Sequence, residues 1–303
     1  MNTMGAVRSY PRARGIILVL IAATSWGVSG TVAQYLFHQQ GFGSSWLVVV
    51  RLLLAGMGLL FYSHTVGKQN IWTIWKSKQD IFRLVAFGII GMLGVQYTFF
   101  AAIEHGNAAT ATVLQYLAPV IIALYICFLA RSLPVKHEVL AIVLALGGTF
   151  LLVTKGNIHS LSISGPAFYW GILSAFALAF YTLFPVKLLS KWGTTLTVGW
   201  GMMVGGIVMC FIHPPWRFEG HWSFTSFLAV AFVVIVGTLI AFLCFMESLK
   251  YIKASEASLL ASIEPLSAAF LAVVWLQVAF SPIEWVGAFS IIATIFILSA
   301  VKR

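Results

Sequence analysis

Ten apolar stretches, each close to the thickness of a lipid bilayer, follow one another along this chain. A membrane-spanning helix needs about 20 apolar residues, because the hydrocarbon layer is roughly 30 Å thick and each residue adds about 1.5 Å. The runs are unbroken, whereas polar and apolar residues alternate in the strands of membrane β-barrels. The sequence therefore predicts an all-α integral membrane protein with ten transmembrane helices. The predicted spans are 15–37, 45–65, 81–103, 108–130, 136–154, 165–187, 194–213, 225–249, 255–278 and 283–301.

The composition excludes a soluble protein. The chain of 303 residues is 60% hydrophobic and only 9% charged, with a mean hydropathy of +0.97. So few charged residues could not cover the surface of a water-soluble domain. The sequence contains neither a Walker-type phosphate loop nor a set of metal ligands at a recognised spacing. We therefore predict no cofactor, no metal and no enzymatic activity.

The basic residues fall almost entirely in alternate loops. Fifteen of the 18 lie on one side of the predicted membrane, and only Lys155 and Arg217 lie on the other, while Arg51 falls inside a span. By the positive-inside rule, the N and C termini are both cytoplasmic. The net charge of +10 then faces anionic lipid head groups and does not indicate a nucleic-acid partner. No Asn-x-Ser/Thr acceptor is present, which favours a bacterial inner membrane.

The two halves of the chain resemble each other at a constant offset of 146 residues. Gly91 matches Gly237, Pro119 matches Pro265 and Glu138 matches Glu284. Each half holds five predicted spans, and an odd number means that the second copy enters the membrane from the opposite side. The sequence thus predicts two inverted five-helix repeats, at 1–155 and 163–303. Inverted repeats are typical of secondary transporters, which bind substrate near the midplane between the halves.

Four short motifs extend this pattern to a known family. They are Ser25-Trp26-Gly27, Arg51-Leu52-Leu53-Leu54-Ala55, Leu117-Ala118-Pro119-Val120 and Ile263-Glu264-Pro265-Leu266. With these motifs the chain resembles the EamA-type branch of the drug/metabolite transporter superfamily over nearly its whole length. The resemblance implies ten helices in two inverted repeats and a cavity among spans one, three, four, six, eight and nine. The Gly-Glu pair usual in that family after spans four and nine is absent here.

Three charged residues inside the predicted spans are candidates for coupling or conformational roles. A carboxylate at mid-membrane is costly unless it is paired or hydrated, which draws attention to Glu264 beside Pro265. The alternative is a hydrogen-bonded structural carboxyl. Glu247 either has a coupling role or forms a surface ion pair with Lys250 three residues later. Arg51 either reaches the membrane surface, pairs across helices or binds an anion.

Polar and aromatic side chains in the spans are the candidates for substrate binding. Amides and hydroxyls inside a bilayer either join helices or line a hydrated cavity. Aromatic rings bind planar or cationic ligands, and they also pack ordinarily in a chain with 15% aromatic residues. The candidate substrate-binding residues are Trp26, Gln96, Tyr97, Phe100, Thr112, Gln115, Tyr116, Tyr181 and Ser262.

Together these features predict a secondary transporter of small organic metabolites that works by alternating access. Amino acids or related solutes, moved outward, are the expected cargo. A choline- or amine-type importer of the same fold and a non-transporting membrane protein are the alternatives. The expected partners are a small organic solute and membrane lipid, with a proton as a further candidate, and the expected state is a monomer or a weak homodimer.

Overall fold

The computed structural model describes residues 9–131, 133–157, 163–252, 257 and 260–300, and all regular secondary structure within them is helical. The longer helices are α1 (Ser9–Gln40), α2 (Ser44–Thr65), α3 (Lys78–His105), α4 (Ala108–Leu129), α5 (Lys136–Thr154), α6 (Gly165–Leu183), α7 (Thr194–Ile212), α8 (Phe224–Ser248), α9 (Ile263–Val274) and α10 (Pro282–Ala300). Helices α1 to α8 are long and apolar enough to cross a membrane, and shorter apolar segments occur in α9 and α10. The structure thus confirms an all-helical membrane protein with at least eight candidate spans.

Two of the predicted spans run four residues past the end of the helix. Helix α6 ends at Leu183 rather than 187, because Pro185 has no N–H to continue the helical ladder. The chain resumes in a short helix, Val186–Trp192. Helix α9 ends at Val274 rather than 278, and Gln277 follows with a left-handed φ of 54°. The predicted start of span nine, at 255, lies outside the described residues.

Helix packing follows a regular scheme. Helices α2 and α7, α5 and α10, and α4 and α9 pack in pairs. Helix α6 packs on α3 and α4, as α1 packs on α8 and α9. Helix α2 contacts the middle of α8, as α7 contacts the middle of α3. Replacing each helix by the one five places away leaves this set of contacts unchanged.

Corresponding helices run in opposite directions. Helix α3 ends beside the start of α2, where the Ser44 hydroxyl donates to the Glu104 carboxylate at 2.6 Å. Helix α8 begins at this same end, because the His221 N–H just before it donates to the Gln40 carbonyl at 2.7 Å. We call this the Glu104 end of the bundle. The opposite end, where Lys191 pairs with Asp80 at 2.6 Å, is the Asp80 end.

Local departures from α-helix also recur at the 146-residue offset. Helix α3 contains a π-helical segment at Phe87–Leu93, and α8 contains one at Phe232–Ile240. Helix α4 is interrupted at Tyr116 and Leu117, between Ala108–Gln115 and Ala118–Leu129. The matching interruption is at Ser262, just before α9.

The first turns of α5 and α10 are stabilised in the same manner. The Glu138 carboxylate accepts a hydrogen bond from the Val135 N–H at 2.9 Å, and the Glu284 carboxylate accepts one from the Ser281 N–H at 2.8 Å. A carboxylate in this position satisfies a free N–H at the helix start and complements the positive end of the helix dipole. The two glutamates lie 146 residues apart in the sequence, and so do the two residues that donate to them.

Candidate functional site

Proline shapes the meeting point of α4 and α9. Pro265 cannot donate a hydrogen bond to the carbonyl four residues earlier, which belongs to Ala261. The Tyr116 hydroxyl, from the interruption in α4, donates to this carbonyl at 2.9 Å. The same hydroxyl lies 3.2 Å from Oε2 of Glu264. A hydroxyl has one proton to donate, so it cannot fully satisfy both acceptors at once.

Helix α1 presses on the backbone of α9 at this site. A Cβ atom added to Gly27 would lie 2.1 Å from the Ser267 hydroxyl and 2.5 Å from the Glu264 carbonyl oxygen. Only glycine permits this approach. The Glu264 and Tyr116 side chains nevertheless remain half-buried rather than sealed. Among the residues that the structure describes, no basic side chain forms an ion pair with Glu264.

Arg51 is buried and held by α8. Its Nε donates to the Thr238 hydroxyl at 2.5 Å, and Nη2 donates to the Gly237 carbonyl at 3.3 Å. Thr238 donates its own proton to the Val233 carbonyl at 2.8 Å, which leaves a lone pair for the arginine. The guanidinium carbon lies 4.7 Å from the centre of the Phe100 ring. Arg51 therefore joins α2 to α3 and α8 and does not reach the membrane surface, with only 5% of its surface exposed.

Two glutamines of α3 and α4 carry amides in the interior of the helix bundle. Gln96 is 7% exposed and Gln115 is 8% exposed. Neither amide has a hydrogen-bond partner among the described residues. Neither amide is among the fully enclosed side-chain atoms without a partner, which within the described residues belong to Ser29, Ser63, Trp75 and His213, so both amides keep surface at which water or solute can bind. Thr112 differs, since its hydroxyl donates to the Ala108 carbonyl of its own helix at 2.7 Å.

The aromatic candidates form ring pairs with neighbouring helices. Trp26 packs against Phe242 and Phe245 of α8, each at 5.4 Å between ring centres. Tyr97 of α3 meets Trp170 of α6 edge to face at 5.4 Å. These contacts are consistent with ordinary packing, and they fix the orientation of the rings.

The structure brings only some of the predicted residues together. Tyr116 and Glu264 meet beside the interruption at Ser262, and Phe100 lies against Arg51. Tyr181 is remote from them in the last turn of α6, where it stacks on Phe87 at 5.5 Å.

Glu247 also lies away from this group. Its carboxylate pairs with the Lys250 ammonium at 2.6 Å, and both side chains retain exposed surface. This is the i,i+3 pair that the sequence favoured. The Glu247 carboxylate raises the pKa of Lys250 above its ordinary value by hydrogen bonding and charge.

Sequence reasoning missed three participants. The Ala261 carbonyl could have been found from Pro265, since a proline always frees the carbonyl four residues before it. Thr238 carried no signal, because the π-helical segment that presents it is not readable from sequence. Gln34 of α1 was also missed, although its side-chain oxygen accepts the Ala108 N–H at the start of α4, at 2.8 Å. Within the described residues, no cluster of three metal-binding side chains occurs.

Comparison with known proteins identifies the family. The model of the EamA-like transporter family matches residues 13–154 and 165–300. The chain belongs to the EamA-like transporter family. It is therefore a drug/metabolite transporter homologue and a multi-pass protein of the bacterial inner membrane, as the sequence predicted.

Relatives of this EamA-like protein are named as transporters. The chain is 41% identical to the uncharacterised inner membrane transporter YicL of Salmonella typhimurium, over 99% of its own length and 98% of that protein. It is 23% identical to the threonine/homoserine exporter RhtA of Escherichia coli, over 95% of its length and 92% of that protein. A solved crystal structure at 17% identity shares the fold, with a TM-score of 0.61 and coverage of 95% and 96%.

Proposed function

We propose that this protein is a secondary transporter that exports small organic metabolites, amino acids or related solutes, by alternating access. The two repeats, 1–155 and 163–303, would be inverted with respect to each other and would bind solute where they meet. The transporter names of the relatives support the general activity, and the RhtA name supports amino acids as the class of cargo.

The symmetric packing of the helices is the observation that carries the proposal. Exchange of each helix with the one five places away preserves the most extensive contacts between helices, while the chain direction of α8 is opposite to that of α3. Two inverted units of similar structure can exchange conformations, and this exchange converts a cavity open to one side into a cavity open to the other. The paired π-helical segments and the paired interruptions provide flexible places at matching positions.

Interior polar groups support a hydrated solute site. The amides of Gln96 and Gln115, which have no hydrogen-bond partner within the described residues, and the half-buried Glu264 lie on helices that also contact α1. Such groups persist inside a membrane where they bind solute, ions or water. The Glu264 carboxylate favours a solute that carries an amino group, which also keeps the amine importer as a second candidate.

Solute flux in proteoliposomes tests the proposal. Vesicles loaded with radiolabelled L-threonine, L-homoserine or other amino acids should release them faster with the wild-type protein than without it. Gln115→Ala should slow the release, because it removes an interior amide. Gln69→Ala, in an exposed loop, is the matched control and should behave as wild type. Absence of flux for every solute, with correctly folded protein, would overturn the carrier and favour a non-transporting membrane protein.

Direction and orientation require separate measurements. Choline uptake without amino-acid release would favour the importer. For orientation, single cysteines would replace Lys155 and Lys68 in a chain lacking Cys127, Cys210 and Cys244. We expect an impermeant maleimide to label position 155 in intact cells and position 68 only after permeabilisation. Labelling of both positions from the same side would contradict the inverted arrangement.

A further inference from the structure

Two acceptor oxygens, one just before α9 and one in its first turn, converge on one point. The Ala261 carbonyl oxygen and the Glu264 Oε2 atom lie 2.9 Å and 3.2 Å from the same atom, the Tyr116 hydroxyl oxygen. These are ordinary distances for N–H···O bonds as well as for O–H···O bonds. A nitrogen at that point could donate to both oxygens without moving α9.

The Tyr116 hydroxyl is an incomplete occupant of this position. It supplies one proton to two acceptors and carries no charge to balance the carboxylate. Arg51 is a cation whose charge interacts with Glu264. However, the Nε and Nη2 donors of Arg51 are already bonded to Thr238 and Gly237 of α8.

From this geometry we infer that Ala261 and Glu264 form a binding site for the primary ammonium group of a solute, and that Tyr116 occupies this site when solute is absent. A primary ammonium has three N–H donors and a positive charge, so it satisfies both oxygens and neutralises the carboxylate. A quaternary ammonium has no N–H and cannot make these bonds. The inference rests on the proposed transport function and specifies the chemistry of its cargo.

Binding at this site has a structural consequence. The Tyr116 hydroxyl bridges α4 of the first repeat to α9 of the second. An ammonium that takes its place breaks this bridge and removes one of the contacts that hold α4 against α9. Solute recognition would thus release a contact between the two halves of the bundle, as alternating access requires.

Three probes that share a hydroxyethyl group test the chemistry. Ethanolamine carries a primary ammonium at neutral pH, choline carries a quaternary one, and N-acetylethanolamine is neutral. Their affinities for the purified protein follow from the rise in thermal stability with ligand concentration. We expect ethanolamine to bind at least about tenfold more tightly than either of the other probes, because charge-assisted hydrogen bonds to a carboxylate are the strong ones. Equal affinity for N-acetylethanolamine would overturn the inference.

Variants test the role of each side chain. Tyr116→Phe removes the competing hydroxyl and keeps the ring, so it should tighten ethanolamine binding about three- to tenfold, the equivalent of one ordinary hydrogen bond. Glu264→Gln should weaken binding at least about tenfold. Tyr125→Phe, at an exposed position on the same helix, is the control and should leave affinity unchanged. Weaker ethanolamine binding by Tyr116→Phe would show that the hydroxyl assists the ligand and would refute the displacement.

The outcome separates this site from the carrier itself. If amino acids are transported but ethanolamine neither binds nor competes with them, the carrier stands and the ammonium site is refuted. If ethanolamine binds as expected but no solute moves in vesicles, the site stands and the transport proposal fails. The probe series on the wild-type protein remains decisive even if a variant does not fold.

Discussion

Replacing Thr238 by valine should reveal how firmly α8 holds the buried Arg51. Valine has nearly the shape of threonine, but it cannot accept the 2.5 Å hydrogen bond from the arginine Nε. The substitution also removes the bond from Thr238 to the Val233 carbonyl. The buried guanidinium would then keep its bond to Gly237 and its contact with the Phe100 ring, and it would lose its best acceptor.

The magnitude follows from the type of bond that is lost. Hydrogen bonds to charged groups contribute about 1.5–3 kcal/mol in water-soluble proteins. Bonds between membrane helices average about 0.6 kcal/mol and reach about 1.7, because the unfolded chain in the membrane also finds partners. Since this bond is charge-assisted, we expect a loss near the upper membrane value, about 1–2 kcal/mol.

Thr98→Val is the matched control. Thr98 is a buried threonine of α3 whose hydroxyl donates to the Gly94 carbonyl of its own helix at 2.8 Å. The Thr98→Val substitution removes one hydroxyl bond to a carbonyl of the same helix. It should therefore cost as much as losing the Thr238–Val233 bond alone, because no bond to the arginine is lost. Unfolding of both variants in mixed micelles with rising SDS would give the two free energies of unfolding.

A double-mutant cycle isolates the pair. Thr238→Val in a chain that already carries Arg51→Gln should cost less than in the wild type, with a coupling energy of about 1 kcal/mol or more. A coupling near zero, or equal losses for Thr238→Val and Thr98→Val, would refute the view that α8 fixes the arginine. Arg51 would then be better explained as an anion-binding residue.

Three further changes have defined outcomes. Gly27→Ala should lower the free energy of unfolding by about 1–3 kcal/mol, because the added Cβ would overlap Ser267. The control Gly147→Ala, with no neighbour within 4 Å, should be neutral or stabilising. Equal melting temperatures of the two variants would contradict the tight α1–α9 contact. Glu284→Gln should lower the free energy of unfolding by about 1 kcal/mol through weaker capping of α10, and unchanged denaturant midpoints would argue against it. Glu247→Gln should leave amino-acid flux within about twofold of wild type, because an exposed ion pair contributes little. The pKa of Lys250 is raised, so any stabilisation by this pair is present at pH values below the ordinary pKa of 10.5 and disappears as the pH rises through the raised pKa. Melting temperatures of the wild type and Glu247→Gln, measured across this pH range, would detect the change.

Particular residues show how far sequence reasoning reached. Pro119 and Pro265 lack the N–H that continues a helical ladder, and the structure has interruptions three residues before each proline. The i,i+3 pair of Glu247 and Lys250 was also predicted, because both residues lie on one helix and helical spacing alone brings them together. Local geometry was sufficient in both cases.

Contacts between helices were not predicted in the same way. Tyr116 was a substrate candidate and Glu264 a coupling candidate, yet their contact joins residues 148 positions apart. Tyr181 was grouped with them by residue type, and the structure places it elsewhere, against Phe87. Residue type shows that a side chain needs a partner inside the membrane, but it does not show which helix supplies that partner.

The sequence by itself determined a helical, multi-pass membrane protein, its family and the positions where proline interrupts a helix, because hydrophobicity and backbone chemistry act within one segment. The tertiary structure decided which polar groups meet: Arg51 with the π-helical segment of α8, and Tyr116 with the carbonyl that Pro265 frees. The physical reason is that a hydrogen bond needs two groups within about 3 Å in the correct orientation, and for distant residues this depends on how whole helices pack.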